Sequence, residues 1–139
     1  MSRVLGVDHG DRRTGLALSD PLGITSKPLC EIEASTPGEM AAKVALAARE
    51  HTVDQVVVGF PRNMDGTLGP RAESVETFVA RLRQELGTIP VDLMDERLTT
   101  AEARQILKRK KIPGKDQKKH LNMIAAQLIL QMYLDSLKE

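Results

Sequence analysis

Hydrophobic spacing along this chain changes several times, and each change marks an element. Val4-Leu5-Gly6-Val7 is a short apolar run ending at Asp8, the pattern of a strand covered on both faces. A turn at Gly10-Asp11-Arg12-Arg13 precedes a second strand pattern from Thr14 to Ser19. Asp20-Pro21-Leu22-Gly23 is turn chemistry, and a third strand is expected from Ile24 towards Ile32. Connections this short make the three strands an antiparallel meander. At Thr36-Pro37-Gly38-Glu39 the period changes: an N-cap, a proline in the first helical position and a capping-box glutamate open a helix to about His51.

Val56-Val57-Val58-Gly59 is again a buried strand, too short and too β-branched for a helix. Phe60 to Gly69 reads as a loop. Pro70 then starts a helix in which Val75, Phe78, Val79, Leu82 and Leu86 keep helical spacing until Gly87. Val91-Asp92-Leu93-Met94 is a last strand, ending at Asp95-Glu96. Thr99 and Glu102 form a second capping box, opening a helix through Lys108, and Pro113-Gly114 breaks the chain beyond it. Leu121 to Leu134 is apolar nearly all round, as expected of a helix packed deep against a sheet. The order β-β-β-α-β-α-β-α-α predicts an α/β fold. Its five-stranded mixed sheet would combine an antiparallel meander with parallel strands, with helices on both faces.

The length of 139 residues fits one domain over residues 1–139. Apolar residues at 41% and charged residues at 28% exclude a disordered chain. The single cysteine, Cys30, cannot pair within the chain and matches no metal-ligand spacing. No apolar run approaches the roughly 20 residues that span a bilayer, and the first residues lack the features of a signal peptide. The expectation is a cytoplasmic protein without a membrane partner.

The net charge of +1 conceals an asymmetry. Residues 1–96 hold 10 Lys/Arg against 15 Asp/Glu, whereas residues 97–139 hold 10 against 4. Lys108 to Lys119 contains 7 basic residues and Asp116 as its only acid. Such a block attracts phosphate backbones, although a solvated helix end has the same composition. Lys110, Lys111, Lys115, Lys118 and Lys119 are its candidate nucleic-acid contacts. Aromatic residues are only 2%, so base stacking contributes little and recognition would rest on backbone and shape.

In open α/β sheets the working site lies beyond the carboxyl ends of the strands. Asp8 ends the first strand, Gly59 the fourth and Asp95-Glu96 the fifth, so acids distant in sequence meet at one edge. Oxygen ligands of this kind suit Mg²⁺ or Mn²⁺, and a pair of ions would activate the attacking water and steady the leaving oxygen. Arg62 and Arg97 adjoin these positions and suit bidentate phosphate contact, or alternatively an ion pair with the neighbouring acids. His120 could orient water or touch the phosphate, against the plainer reading of an exposed histidine. His9 alternates to the opposite face from Asp8 and reads as structural.

Gly6-Val7-Asp8-His9-Gly10-Asp11-Arg12-Arg13-Thr14-Gly15 resembles the first motif of the RNase H-like superfamily, and more narrowly of the YqgF family, also called RuvX. Gly59-Phe60-Pro61-Arg62-Asn63-Met64-Asp65-Gly66 is similar to that family's loop after the fourth strand. Asp95-Glu96-Arg97-Leu98-Thr99-Thr100 and the helix around Ile124-Ala125-Ala126 complete four motifs in the family's order. The resemblance implies an RNase H-like, metal-dependent nuclease of the bacterial cytoplasm, related to Holliday junction resolvases and engaged in maturing the small-subunit ribosomal RNA precursor. It implies that Asp8 and Glu96 are metal-binding catalytic acids for Mg²⁺ or Mn²⁺, as two ions. It also implies that Asn122 stands where members carry a third acid, an amide offering one neutral oxygen; Asp116 is the other residue available to complete the site. Arg13, within the first motif, joins Arg62 and Arg97 as a candidate nucleic-acid contact.

Three functions remain open at this point: a nuclease on structured RNA or branched DNA, a nucleic-acid binder that has lost its third acid, and a phosphotransferase or ATPase. The last usually encloses its nucleotide between two such domains, which one chain of this length does not supply. A nuclease acting as a monomer or homodimer is the expected function; a symmetric dimer would suit a junction.

Overall fold

The computed structural model describes residues 3–63, 65–96 and 117–137, with the backbone alone for 117–120. Strand β1 (Val4–Asp8) pairs antiparallel with β2 (Arg13–Ser19), and β2 pairs antiparallel with β3 (Ser26–Glu33). Helix α1 (Pro37–Glu50) leads to β4 (Gln55–Phe60), and α2 (Pro70–Leu86) leads to β5 (Val91–Asp95). Both of these strands run parallel to β1, giving one sheet in the order β3-β2-β1-β4-β5. Helix α3 (Gln117–Ser136) crosses the other face. The expected mixed sheet with helices on both faces is therefore present, and the element bounds differ from the sequence-based expectation by one or two residues, except that the last helix begins at Gln117, a full turn before Leu121. The helix expected from Thr99 to Lys108 lies outside the described residues.

Local chemistry accounts for the ends of the elements. Thr36 accepts a hydrogen bond from the Glu39 amide at 3.1 Å, with Pro37 in the first turn, as the capping box requires. Gly87 ends α2 at φ +67°, a conformation that other residues adopt only with strain. The Asp20 carboxylate accepts from the Ile24 amide at 2.8 Å and the Thr25 hydroxyl at 3.2 Å, which closes the β2–β3 turn. Pro28 sits in β3 at the edge of the sheet, where a missing donor is tolerated, and the ladder shifts register opposite it between Leu16 and Ala17.

Strand alternation divides the interior into two unequal layers. Leu5, Val7, Leu16, Leu18, Val56 and Val58 face α1 and α2, where Phe78, Leu82, Met40 and Val44 fill the larger core. On the α3 side the strands offer mostly small residues. Val4, Ala17 and Val57 pack on Ala126, Ile129, Leu130 and Leu134. Between them, Gly6 and Gly15 bring bare backbone against the helix. A β-carbon on Gly6 would lie 2.6 Å from Leu130 Cβ and 2.8 Å from the Ala126 carbonyl oxygen. One on Gly15 would overlap the Asn122 carbonyl, and one on Gly59 the Ile129 side chain. Helix α3 thus rests directly on the strands.

The helix stretch expected to be apolar nearly all round also carries a polar edge. Gln127 donates to the Ser26 carbonyl at 3.0 Å, and Gln131 donates to the Ile24 carbonyl at 3.2 Å and accepts from the Ser26 hydroxyl at 2.8 Å. These bonds fix the helix over β3 as well as over β1 and β2.

Because the atoms facing Gly6 include helix backbone, Gly6→Ala should destabilise the protein by roughly 1–3 kcal/mol, the ordinary penalty of overpacking a close-packed interior. Gly38→Ala is the control, since its new methyl group would meet only the flexible end of Arg81. Urea titration of both variants tests the point: a Gly6→Ala midpoint equal to that of the parent protein contradicts the direct contact.

Candidate active site

The end of β1 carries Asp8, which is 2% exposed. Alternation from Val4 and Gly6 puts Asp8 on the α3 face. In the antiparallel ladder it stands opposite Gly15, and Gly15 stands opposite Glu31 of β3. On its other side Val7 is level with Val58, which sets Asp8 beside Gly59; Gly59 in turn is level with Met94 of β5. The half-buried Glu96 follows β5 directly and folds back over β4. Its Oε2 lies 3.2 Å from the point a β-carbon of Gly59 would occupy. Asp8 and Glu96 therefore flank the bare backbone of Gly59 from β1 and the end of β5, the two strands that pair with β4 on either side. A side chain at Gly59 would drive the Glu96 carboxylate from this position.

Asn122 enters from α3, its backbone carbonyl against Gly15. Its amide Nδ2 donates to Glu31 Oε2 at 2.7 Å. Of the acids and amides expected at this edge, Asp8, Glu96 and Asn122 are thus brought to one end of one sheet face. Glu31 was not legible as their neighbour. Finding it requires the pairing of β3 with β2, including the register shift near Pro28, and no short motif signals that pairing.

Among the described residues no three His, Cys, Asp or Glu side chains are arranged to hold a metal ion. The donor set at the edge nevertheless suits a hard cation that keeps several waters, because Mg²⁺ is commonly held by one or two carboxylates with substrate oxygens completing its shell. The Gly59 cradle leaves room for the Glu96 carboxylate beside Asp8, which is the arrangement such an ion needs.

His9 turns to the opposite face, as alternation predicts. It is 5% exposed, and its ring stacks on Phe78 at 4.3 Å between centroids and 13° between planes. Its Nε2 lies 3.4 Å from the Ser74 hydroxyl, which donates to Asp11 at 2.5 Å. These contacts tie the β1–β2 turn to α2 and hold the backbone that presents Asp8. Cys30 is half-buried, and burial, with the charge of Glu50 adding to it, pushes its thiol up from the usual range. An unreactive packing residue results.

The candidate phosphate contacts divide. Arg13 opens β2 and pairs with Glu33 at 3.3 Å, while Lys43 pairs with Glu39 at 3.3 Å. With Arg12 they line an open cleft of about 510 Å³ beside the β1–β2 turn. Arg62 is exposed and lies over the Phe60 ring at 5.0 Å, just past the end of β4. Arg97, Lys110, Lys111, Lys115 and Asp116 lie outside the described residues. Lys118, Lys119 and His120 belong to the first turn of α3.

A family model described as RuvX: Holliday junction resolvase matches residues 2–136. A protein of Geobacillus kaustophilus (strain HTA426) named "Putative pre-16S rRNA nuclease" is 46% identical over 136 residues, covering 96% of this chain and 98% of its own. A Bacillus subtilis (strain 168) protein of the same name is 39% identical over 137 residues, covering 97% and 99%. Among solved structures, T. thermophilus RuvC in complex with Holliday junction substrate shares the fold with a TM-score of 0.58 at 17% identity, covering 99% of this chain and 96% of that one. The Fowlpox virus resolvase bound to Holliday junction DNA shares it with a TM-score of 0.55 at 15% identity, covering 99% of each chain. Match length and motif order agree: the chain belongs to the RuvX family.

Proposed function

We propose that this protein is a divalent-metal-dependent nuclease that hydrolyses phosphodiester bonds in structured nucleic acid, with the small-subunit ribosomal RNA precursor as its principal substrate. The observation that supports the reading is that Asp8, on β1, and the Glu96 carboxylate lie on either side of Gly59 at the carboxyl edge of the sheet. The names borne by its 39–46% identical relatives favour the RNA precursor. The description of the family model favours a second reading, cleavage of branched DNA. Residues 1–139 act as one unit in the cytoplasm, as a monomer or homodimer. Among the described residues no helix is long and apolar enough to cross a membrane.

Asp8 and Glu96 would hold Mg²⁺ or Mn²⁺, as two ions, with Asn122 offering a neutral oxygen. Bound there, the cations would supply Lewis-acid activation of water and neutralise charge at the phosphate. The protein's own contribution is orientation. The His9–Phe78 stack and the β1–β2 turn hold Asp8 still, and the α3 contact with Gly15 sets the depth of Asn122. Arg13 and Arg62 lie near the edge and would hold the sugar–phosphate backbone, with Arg97 as a further candidate contact. Lys110, Lys111, Lys115, Lys118 and Lys119 extend that hold along the strand without reading bases.

The test is cleavage of a labelled ribosomal RNA precursor and of a four-way DNA junction, assayed in parallel over a Mn²⁺ titration. Cleavage of the RNA should rise with metal and disappear in Asp8→Asn and in Glu96→Gln, while both variants keep most of their nucleic-acid affinity. Full activity in the double variant contradicts the metal site. Junction cleavage with an intact RNA precursor exchanges the two readings, and metal-independent binding without cleavage makes the protein a binder.

A second measurement addresses the basic block. Lys110, Lys111 and Lys115 changed together to alanine should weaken both substrates similarly. Every phosphate-neutralising cation removed should flatten the log-affinity against log-salt slope by about 0.7–0.9. An unchanged slope assigns the block to solvent and moves the substrate path to Arg13, Arg62 and Arg97.

A further inference from the structure

The row of residues across the end of the sheet contains one carboxylate that the proposed mechanism does not use. Glu31 of β3 stands opposite Gly15, which stands opposite Asp8. Gly15 has no side chain, so between Glu31 and Asp8 the row is filled from above by Asn122, whose carbonyl touches Gly15. The Asn122 amide nitrogen donates to Glu31 Oε2 at 2.7 Å.

A carboxylate only accepts hydrogen bonds, so it fixes which end of the amide faces it. With Nδ2 committed to Glu31 on the β3 side, Oδ1 is the end turned away from Glu31. The β1 side, where Asp8 lies, is the side away from Glu31. No lysine or arginine among the described residues is paired with Glu31. Among the described residues its negative charge is therefore shared with the Asn122 amide. An amide that donates to an anion carries more electron density on its oxygen, which makes that oxygen a better ligand for a hard cation.

We propose that Glu31 is a positioning residue for the candidate metal site: it fixes the Asn122 amide and lends it negative charge, so that the pair works beside Asp8 as one carboxylate divided between strand β3 and helix α3. Asn122 supplies the oxygen and Glu31 supplies the charge. This rests on the reading of Asp8 and Glu96 as metal-holding residues. A purely mechanical role would be different. Gln127 and Gln131 already tie α3 to β3 through uncharged bonds, and the Asn122–Glu31 bond would then be one more tie whose charge is irrelevant.

Exchanging charge between the two positions separates these roles. Glu31→Gln keeps an acceptor for the Asn122 amide but removes the charge. Adding Asn122→Asp to it restores one negative charge with the donor and acceptor ends reversed. Mn²⁺ binding to the full chain is measured by calorimetry, and thermal unfolding in EDTA reports on the fold. Glu31→Gln should weaken Mn²⁺ binding by about 10-fold or more, the usual effect of removing a ligand's outer partner, with its unfolding midpoint in EDTA unchanged. The double variant should recover affinity to the parent level or beyond.

Asp8→Asn is the reference. If Asp8→Asn loses Mn²⁺ while Glu31→Gln binds it like the parent, the metal reading stands and the role of Glu31 is overturned. A double variant as weak as Glu31→Gln also overturns it, because the charge is then not exchangeable. If Asp8→Asn itself binds Mn²⁺ like the parent, the metal reading fails, and the divided carboxylate fails with it.

Discussion

Direct contact between helix α3 and the glycine backbone of the sheet is the constraint on which the rest of this structure depends. A helix packed on a sheet through ordinary side chains stands about 10 Å from it. Here Gly6, Gly15 and Gly59 remove the side chains beneath the helix, and Ala126, Leu130, Asn122 and Ile129 descend onto the strands. Gly15 and Gly59 are also the positions on either side of Asp8. The same small residues that let the helix approach therefore open the floor of the candidate site. One requirement of packing and one of chemistry are met by the same atoms.

The two faces of the sheet divide the work. Leu5, Val7, Val56, Val58, Phe78 and Leu82 make the larger apolar core with α1 and α2. That core fixes the sheet and, through the His9–Phe78 stack, the turn that follows Asp8. The α3 face contributes less apolar volume and more polar contacts, from Gln127 and Gln131 down to Asn122. A buried Asp8 is costly unless it is compensated by hydrogen bonds, neighbouring charge or metal. The rigid core behind the strand is what permits such a group to stand at its end.

Much of the fold was legible because its signals are local. The capping box at Thr36–Glu39, Pro70 at the head of α2, Gly87 at its end and the β-branched run at Val56–Val58 each carry their own physical cause. The face occupied by His9 followed from alternation alone. The meeting of Asp8 and Glu96 at one edge of the sheet was legible, since Asp8 ends β1 and Glu96 follows β5 directly. Gly6, two residues before Asp8, serves the packing of the helix. What stayed hidden depends on pairing between distant segments. Glu31 beside Asn122, 91 residues apart in sequence, needs the register of β3, the shift at Leu16–Ala17 and the depth of α3 at once. Arg13 shows the same limit: its charge suggested phosphate, and only the β2–β3 pairing brings Glu33 to it.

The proposed site would hold a divalent cation at the carboxyl edge of the sheet between Asp8 and Glu96, above Gly59. Crystals of the protein grown with Mn²⁺ test it most directly, because anomalous scattering identifies the ion by element and position. The account predicts an anomalous peak within coordination distance of both carboxylates, on the face covered by α3. Fully occupied Mn²⁺ elsewhere, with Asp8 and Glu96 making no contact to it, would contradict the account.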